Sequence, residues 1–179
     1  MLDEDLPLQC DILDLWPTPV LLGLLRTSQA ASGPEYESLG KQSLLGPFSA
    51  HERLWMEQFL SYMRSLGEQS PQPDGLRFEL LEHRASGYTG MRWFSGIAQG
   101  LLVREASIRS PRVRQSGRLF LYDPRIGSGT AFVPGLPFGR PMVLDLKPGL
   151  SVFFPSFLRA SFAPMEADDW VVVARMSAE

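Results

Sequence analysis

The second half of the chain consists of short apolar runs that proline and glycine interrupt. Short runs of β-branched and aromatic side chains, bounded by such turn residues, are typical of β-strands. Pro148 and Gly149 mark one of these turns. The pattern predicts strands over residues 76–83, 118–122, 142–146, 150–154 and 170–175.

Residues 49–67 follow a helical pattern instead. Ser49 is a good N-cap, Glu52 three residues later completes a capping box, and Phe48 is placed for a hydrophobic staple. Apolar side chains then recur at helical spacing until Gly67 ends the run. This stripe, which we expect to pack on the outside of a sheet, contains Leu54, Trp55, Phe59, Tyr62, Met63 and Leu66.

The order of the elements predicts the fold class. A helical region comes early and many short strands come late, which indicates a mainly β fold with helices packed on one side. A chain of 179 residues suits a single domain. We divide it into an N-terminal extended segment and helical layer, residues 1–75, and a β core, residues 76–179. Pro17 and Pro19 favour an extended path there, which predicts an edge strand that docks the N-terminus.

Charge and cysteine content exclude several classes of partner. A formal net charge of −3 argues against nucleic acid and anionic membrane surfaces. The single cysteine, Cys10, excludes an internal disulfide framework and fits a reducing compartment. The acidic N-terminus is unlike a signal peptide, and no uncharged apolar run is long enough to span a bilayer. These features predict a cytoplasmic protein.

Three stretches carry a resemblance to a known family. Residues 148–164 contain a PG pair, an FPSFL run and a closing proline; residues 15–20 read LWPTPV, and residues 123–125 read DPR. They are similar to the PG-x-LVLFPSW-x-x-H-x-V-x-P, LFPTPV and DPR segments of Fe(II)/2-oxoglutarate oxygenases. The resemblance covers most of the chain and implies a jelly roll, the double-stranded β-helix of cupin-like proteins.

The same alignment implies that the ligands for the family's chemistry are missing. The family's iron-binding histidine falls on Ala160, its 2-oxoglutarate-binding arginine falls on or beside Trp170, and residues 91–93 stand where the early metal ligands are expected. Such an iron site needs two histidines and one carboxylate. The two histidines of the chain are His51, in the predicted helix, and His83, on an early strand. Because no histidine follows His83, the usual ligand order cannot be assembled, and we expect no cofactor.

Alternation along the last strand predicts an apolar lining for the interior. We expect side chains to fill the cavity, with Trp170 burying much apolar area; a cavity for an apolar ligand is the alternative. Trp170, Val172, Ala174 and Met176 are predicted to face inwards, and Val171, Val173 and Arg175 to face the other way.

Two sets of residues are candidates for a functional site. For acid–base catalysis in a metal-free pocket, the candidates are Glu82, His83, Tyr122 and Asp123. For ligand binding, they are Trp93, Arg118, Arg125, Arg159 and Trp170, with the arginines suited to an acidic group. Three of these have a structural alternative, because the turn that contains Asp123 and Arg125 can simply brace a loop and Arg159 can be a surface residue.

Three functions remain open, in order of preference. The first is an oxygenase-like pseudoenzyme without iron and 2-oxoglutarate, acting as a small-molecule-binding or accessory subunit. The second is a metal-independent isomerase, cyclase or rearrangement enzyme in a specialised biosynthetic pathway. The third is an oxygenase with an atypical metal site. The expected partners are a small acidic or apolar metabolite and either a second copy or an active homologous subunit, but neither nucleic acid nor membrane.

Overall fold

The computed structural model describes residues 9–15, 18–25, 50–67, 75–84, 95–109, 116–122 and 141–178. These ranges contain one helix, α1 (Ala50–Ser65). They also contain nine strands: β1 (Gln9–Leu15), β2 (Thr18–Leu24), β3 (Leu76–Arg84), β4 (Ala98–Ser107), β5 (Arg118–Tyr122), β6 (Met142–Asp145), β7 (Leu150–Pro155), β8 (Arg159–Phe162) and β9 (Trp170–Ala178).

The strands form two antiparallel sheets. A main sheet of six strands has the order β1-β2-β7-β4-β9-β3, and a small sheet of three strands has the order β6-β5-β8. The chain crosses between the sheets after β4, β6, β7 and β8. This alternation between two facing sheets is jelly-roll topology, so the predicted fold class, mainly β with a helix packed on one side, is confirmed.

The space between the two sheets is filled by apolar side chains. Leu119, Leu121 and Phe162 of the small sheet pack with Leu101 and Val173 of the main sheet in one buried cluster. Because side chains alternate along a strand, this cluster identifies the inner face of each strand. On β9 the inner face carries Val171 and Val173, and by the same alternation Arg175 and Ser177.

Helix α1 packs on the outer face of the main sheet and begins and ends as the sequence predicts. Its aromatic side chains Trp55, Phe59 and Tyr62 surround Phe153 of β7, with ring centroids 6.4, 5.7 and 5.9 Å away. The Tyr62 hydroxyl donates a hydrogen bond to the carbonyl oxygen of Pro19 at 2.8 Å, which ties the helix to β2. Burial raises the pKa of the Tyr62 phenol, so the neutral donor is retained.

Two features of the strands differ from the sequence-based expectation. β4 (Ala98–Ser107) is not among the strands that the apolar runs predict, and its pairing with β9 shifts between Val103 and Glu105. Pro19, in the stretch predicted as an edge strand, lies in β2, which is inside the main sheet between β1 and β7 rather than at its edge. β2 pairs directly with β7, so the N-terminal segment is part of the core sheet rather than a layer outside it. The N-cap residue Ser49 and the staple residue Phe48 lie outside the described residues.

Candidate functional site

Polar side chains collect at one end of the inner face of the main sheet. At this end β3 begins and β9 ends, and strand register places Arg77 opposite Ser177 and Glu79 opposite Arg175. Gln99 of β4 lies opposite Ser177 on the other side of β9. We call these five residues, Arg77, Glu79, Gln99, Arg175 and Ser177, the polar end. β8 begins four residues after β7 ends, so Ala160, on the inner face of β8, lies towards the same end.

Gln99 is the most deeply buried member of the polar end. Its side chain is 0% exposed, and its Nε2 donates hydrogen bonds to the carbonyl oxygen of Ser95 at 2.8 Å and to the Ser156 hydroxyl at 2.9 Å. The amide therefore joins the entry of β4 to the turn between β7 and β8. Among the described residues nothing donates to the buried Gln99 Oε1. An unsatisfied buried acceptor costs about 1–3 kcal/mol, so a bound donor at this position would be stabilised.

The charged members of the polar end carry an excess of positive charge. An Arg175 guanidinium nitrogen lies 3.3 Å from a Glu79 carboxylate oxygen, with the two side chains 19% and 46% exposed. Arg77 precedes Glu79 by two residues on the same face of β3. Within the described part of the chain, this end therefore combines two guanidinium groups with one carboxylate.

The opposite end of the inner face is closed by packed rings. His83 is buried on β3, and its ring stacks on Phe162 of the small sheet with centroids 4.1 Å apart and an angle of 26°. Val171 is the residue opposite His83 on β9. At this end the side chains of His83, Phe162 and Val171 fill the space between the two sheets.

The predicted orientation of β9 is wrong. Ala174 and Met176 pack in the cluster under α1, and alternation puts Trp170 and Val172 on that outer face too. The inner face instead carries Val171, Val173 and Arg175. Side chains fill the interior as expected. Near the start of β9 these are Phe162 and Val171 rather than Trp170, and near its end the inner face carries Arg175.

The candidate catalytic residues do not meet at one site. Glu82 lies on the outer face of the main sheet, where the Arg84 side chain donates to it at 2.6 Å. His83 lies between the sheets. Tyr122 lies on the outer face of the small sheet, 2.9 Å from the Ser161 hydroxyl. Three side chains on three different surfaces cannot share a substrate, and Asp123 lies outside the described residues.

The candidate ligand-binding arginines are also outside the sandwich. Leu119 and Ala160 define the inner face of the small sheet, so Arg118 and Arg159 are on its outer face. Arg118 pairs there with Asp145 at 3.2 Å. Trp93 and Arg125 lie outside the described residues. The binding roles of these residues remain predictions. Those that the structure describes lie on different outer faces and do not line one common pocket.

The residues at the polar end do not fit an Fe(II) site of the oxygenase type. Ala160, with which the resemblance aligns the late histidine, is 2% exposed and has no group that binds a metal. His83 is stacked at the other end of the interior, and His51 belongs to α1, on the far side of the main sheet. The main sheet thus lies between the backbone of α1 and His83, and the guanidinium groups of the polar end repel a cation. Among the described residues, no group of three histidine, cysteine, aspartate or glutamate side chains is close enough to hold a metal ion.

The residues also do not fit 2-oxoglutarate in its family position. The first inward-facing position of β9 is Val171, which has no group to pair with a carboxylate. A bidentate carboxylate contact needs an arginine fork at that point. The His83 and Phe162 rings occupy the adjacent interior.

The fold and the site define a jelly-roll protein whose interior is a packed core with one polar end. No protein-family model matches the sequence, and no curated protein matches it either. A solved structure that resembles the chain is an oxidoreductase of the 2OG-Fe(II) oxygenase family from Burkholderia pseudomallei. The alignment covers 96% of this chain and 74% of that one, with 10% sequence identity and a TM-score of 0.42. Agreement at this level shows neither membership of that family nor its activity.

Within the described part of the chain, α1 lacks the length and apolar character that a membrane-crossing helix needs.

Proposed function

We propose that the protein is an oxygenase-like jelly roll that works without iron and 2-oxoglutarate, as a small-molecule-binding or accessory subunit in the cytoplasm. What supports this proposal is the alanine at position 160, where the resemblance expects an imidazole ligand, together with the guanidinium group of Arg175 at the polar end. A divalent ion is disfavoured there, whereas an anionic group is favoured.

The packed interior supports binding rather than the family's oxidation chemistry. Oxygenases of this type need open metal positions and room for a co-substrate between the sheets. Here Phe162, Val171 and Val173 fill that room with apolar contacts. Among the described residues, the middle of the sandwich therefore offers a ligand no room.

A metal-independent enzyme and an oxygenase with an atypical site are less well supported. General acid–base catalysis needs groups within hydrogen-bond reach of one substrate. Glu82, His83 and Tyr122 lie on separate surfaces, and the polar end offers a pair of arginines rather than metal ligands. Binding is the simpler function, either alone or beside an active homologous subunit.

Thermal unfolding in the absence of oxygen tests this proposal. Fe(II) and 2-oxoglutarate are added separately and together, with Mg(II) in place of Fe(II) as the control for non-specific ion effects. A site filled at a hundred times its Kd adds about 2.7 kcal/mol of stability, which moves Tm by roughly 5–11 °C for a chain of this length. We expect no shift that depends on the pair. A shift that requires Fe(II) and 2-oxoglutarate together would overturn the proposal and restore an oxygenase.

A further inference from the structure

We infer that a buried cluster of hydrogen bonds around Asp169 acts as a clasp, which sets how readily the sandwich opens at the end that contains His83. The clasp consists of Arg109, Ser116, Glu166 and Asp169. This inference goes beyond the proposed function, because neither a metal nor a small molecule takes part in it.

The clasp lies where two connections cross between the sheets. β4 ends opposite the first residue of β9, and the chain then passes to β5 in the small sheet. The connection from β8 to β9 returns to the main sheet at the same end. Arg109 and Ser116 belong to the first connection, and Glu166 and Asp169 belong to the second. Contacts between these residues therefore fasten the two connections to each other.

Asp169 supplies both acceptors at the centre of the clasp. The residue is 3% exposed; one carboxylate oxygen accepts a hydrogen bond from the Arg109 amide at 3.0 Å, and the other accepts one from the Ser116 hydroxyl at 2.5 Å. The oxygen of Ser116, which is also buried, accepts a hydrogen bond from the Glu166 amide at 3.2 Å. Hydrogen bonds to a charged group are stronger than neutral ones, and a buried donor without an acceptor is costly. The two connections therefore depend on one carboxylate and one hydroxyl.

The clasp holds the small sheet through the two residues that follow Ser116. The carbonyl oxygen of Gly117 accepts a hydrogen bond from the Leu146 amide at 2.8 Å, and that of Arg118 accepts one from the Ala163 amide at 2.9 Å. These bonds join the start of β5 to the residue after β6 and to the residue after β8. Release of Ser116 frees the backbone on the acceptor side of both bonds.

Opening at this point uncovers the contact that closes the interior. Phe162 directly precedes Ala163, and its ring stacks on His83 of the main sheet with centroids 4.1 Å apart. Once the Ala163 amide is released, Phe162 can move with it and the two sheets separate at this end. The other end of the main sheet keeps its own bonds, among them that from the Ile97 amide to the carbonyl oxygen of Ala178 at 2.9 Å. The opening is therefore local, and it gives access to the interior without unfolding of the protein.

Native-state hydrogen exchange followed by NMR tests the clasp. Asp169→Ala removes its two carboxylate acceptors, whereas the control, Asp168→Ala, removes the exposed carboxylate next to it. The amides of Leu146 and Ala163 are the reporters, because neither substitution removes their donors or acceptors. We expect Asp169→Ala to speed their exchange about tenfold or more relative to the Ile97 amide, the effect of one lost hydrogen bond to a charged group. Asp168→Ala is expected to leave all three rates within about twofold.

Ser116→Ala is the second variant, and it decides the question if Asp169→Ala does not fold. It keeps the carboxylate and its bond from the Arg109 amide, so we expect the two reporter amides to exchange faster by a smaller factor, about threefold or more. Equal acceleration of the reporters and of the Ile97 amide would overturn the inference, since the cluster would then stabilise the fold as a whole. Unchanged exchange of the reporters, or the same acceleration in Asp168→Ala, would also contradict it.

Discussion

Replacing Gly149 with alanine is expected to lower the free energy of unfolding by about 3 kcal/mol or more. Gly149 lies in the turn before β7 with φ +88°, a left-handed conformation that costs other residues of order 1–3 kcal/mol. A Cβ atom there would also overlap the carbonyl oxygen of Leu25, a clash that the backbone must move to relieve. The same residue accepts a hydrogen bond from the Leu25 amide and donates one to the Val103 carbonyl oxygen, both at 2.8 Å. Movement would therefore disturb β2, β4 and β7 together, and urea unfolding measures the loss.

Gly67→Ala is the matched control for this substitution. Gly67 ends α1 with φ +81°, and a Cβ atom there meets nothing within 4 Å. It carries the left-handed strain without the clash, so we expect a loss of about 1–2 kcal/mol. Equal losses in the two variants would show that the contacts of Gly149 with Leu25 and Val103 add nothing to the free energy of unfolding, which would contradict the role described for them.

Replacing Phe153 with alanine is expected to cost about 3–5 kcal/mol. Phe153 is 1% exposed, and three aromatic rings of α1 pack around it. Truncation leaves a cavity under the helix that rigid strands cannot close. Urea unfolding followed by far-ultraviolet circular dichroism measures the loss, and tryptophan fluorescence reports the changed surroundings of Trp55.

Phe157→Ala removes the same phenyl group from the surface. Phe157 is 52% exposed in the turn between β7 and β8, so we expect a change within about 0.5 kcal/mol. A similar loss in both variants would contradict the role of Phe153 as the anchor of α1.

Much of the fold could be predicted because its elements have strong local signals. The capping box at Ser49 and Glu52 and the stop at Gly67 bracket α1, and the Pro148–Gly149 turn separates β6 from β7. β4 does not follow from the pattern of apolar runs, because its irregularity between Val103 and Glu105 interrupts the alternation of side chains.

The faces of β9 could not be predicted from alternation. Val172 and Val173 are both buried, one on each face, because α1 and the small sheet cover the two sides of this strand. Where both faces of a strand are apolar, the periodicity of the sequence does not show which face points into the sandwich. Arg175 was the one polar residue within the predicted strand, and a polar residue is ordinarily assigned to solvent.

The polar end could not be found from sequence because its members are far apart in the chain. Glu79, Gln99 and Arg175 come together only through the pairing of β3 and β4 with β9. The individual residues have no motif, and nothing in the local sequence marks Gln99 as buried. The resemblance, by contrast, predicts a lost histidine at Ala160, and this residue lies towards the same end of the sandwich.

The central claim is that packed side chains and positive charge stand in this jelly roll in place of a metal and co-substrate site. Electron paramagnetic resonance of Mn(II) tests this claim most directly. Mn(II) substitutes for Fe(II) without oxidising, and its free aqueous form has a strong six-line signal that weakens when the ion binds protein. We expect the signal of Mn(II) titrated with excess protein to equal that of Mn(II) in buffer, with 2-oxoglutarate present or absent. A loss of the free signal that requires both the protein and 2-oxoglutarate would contradict the account.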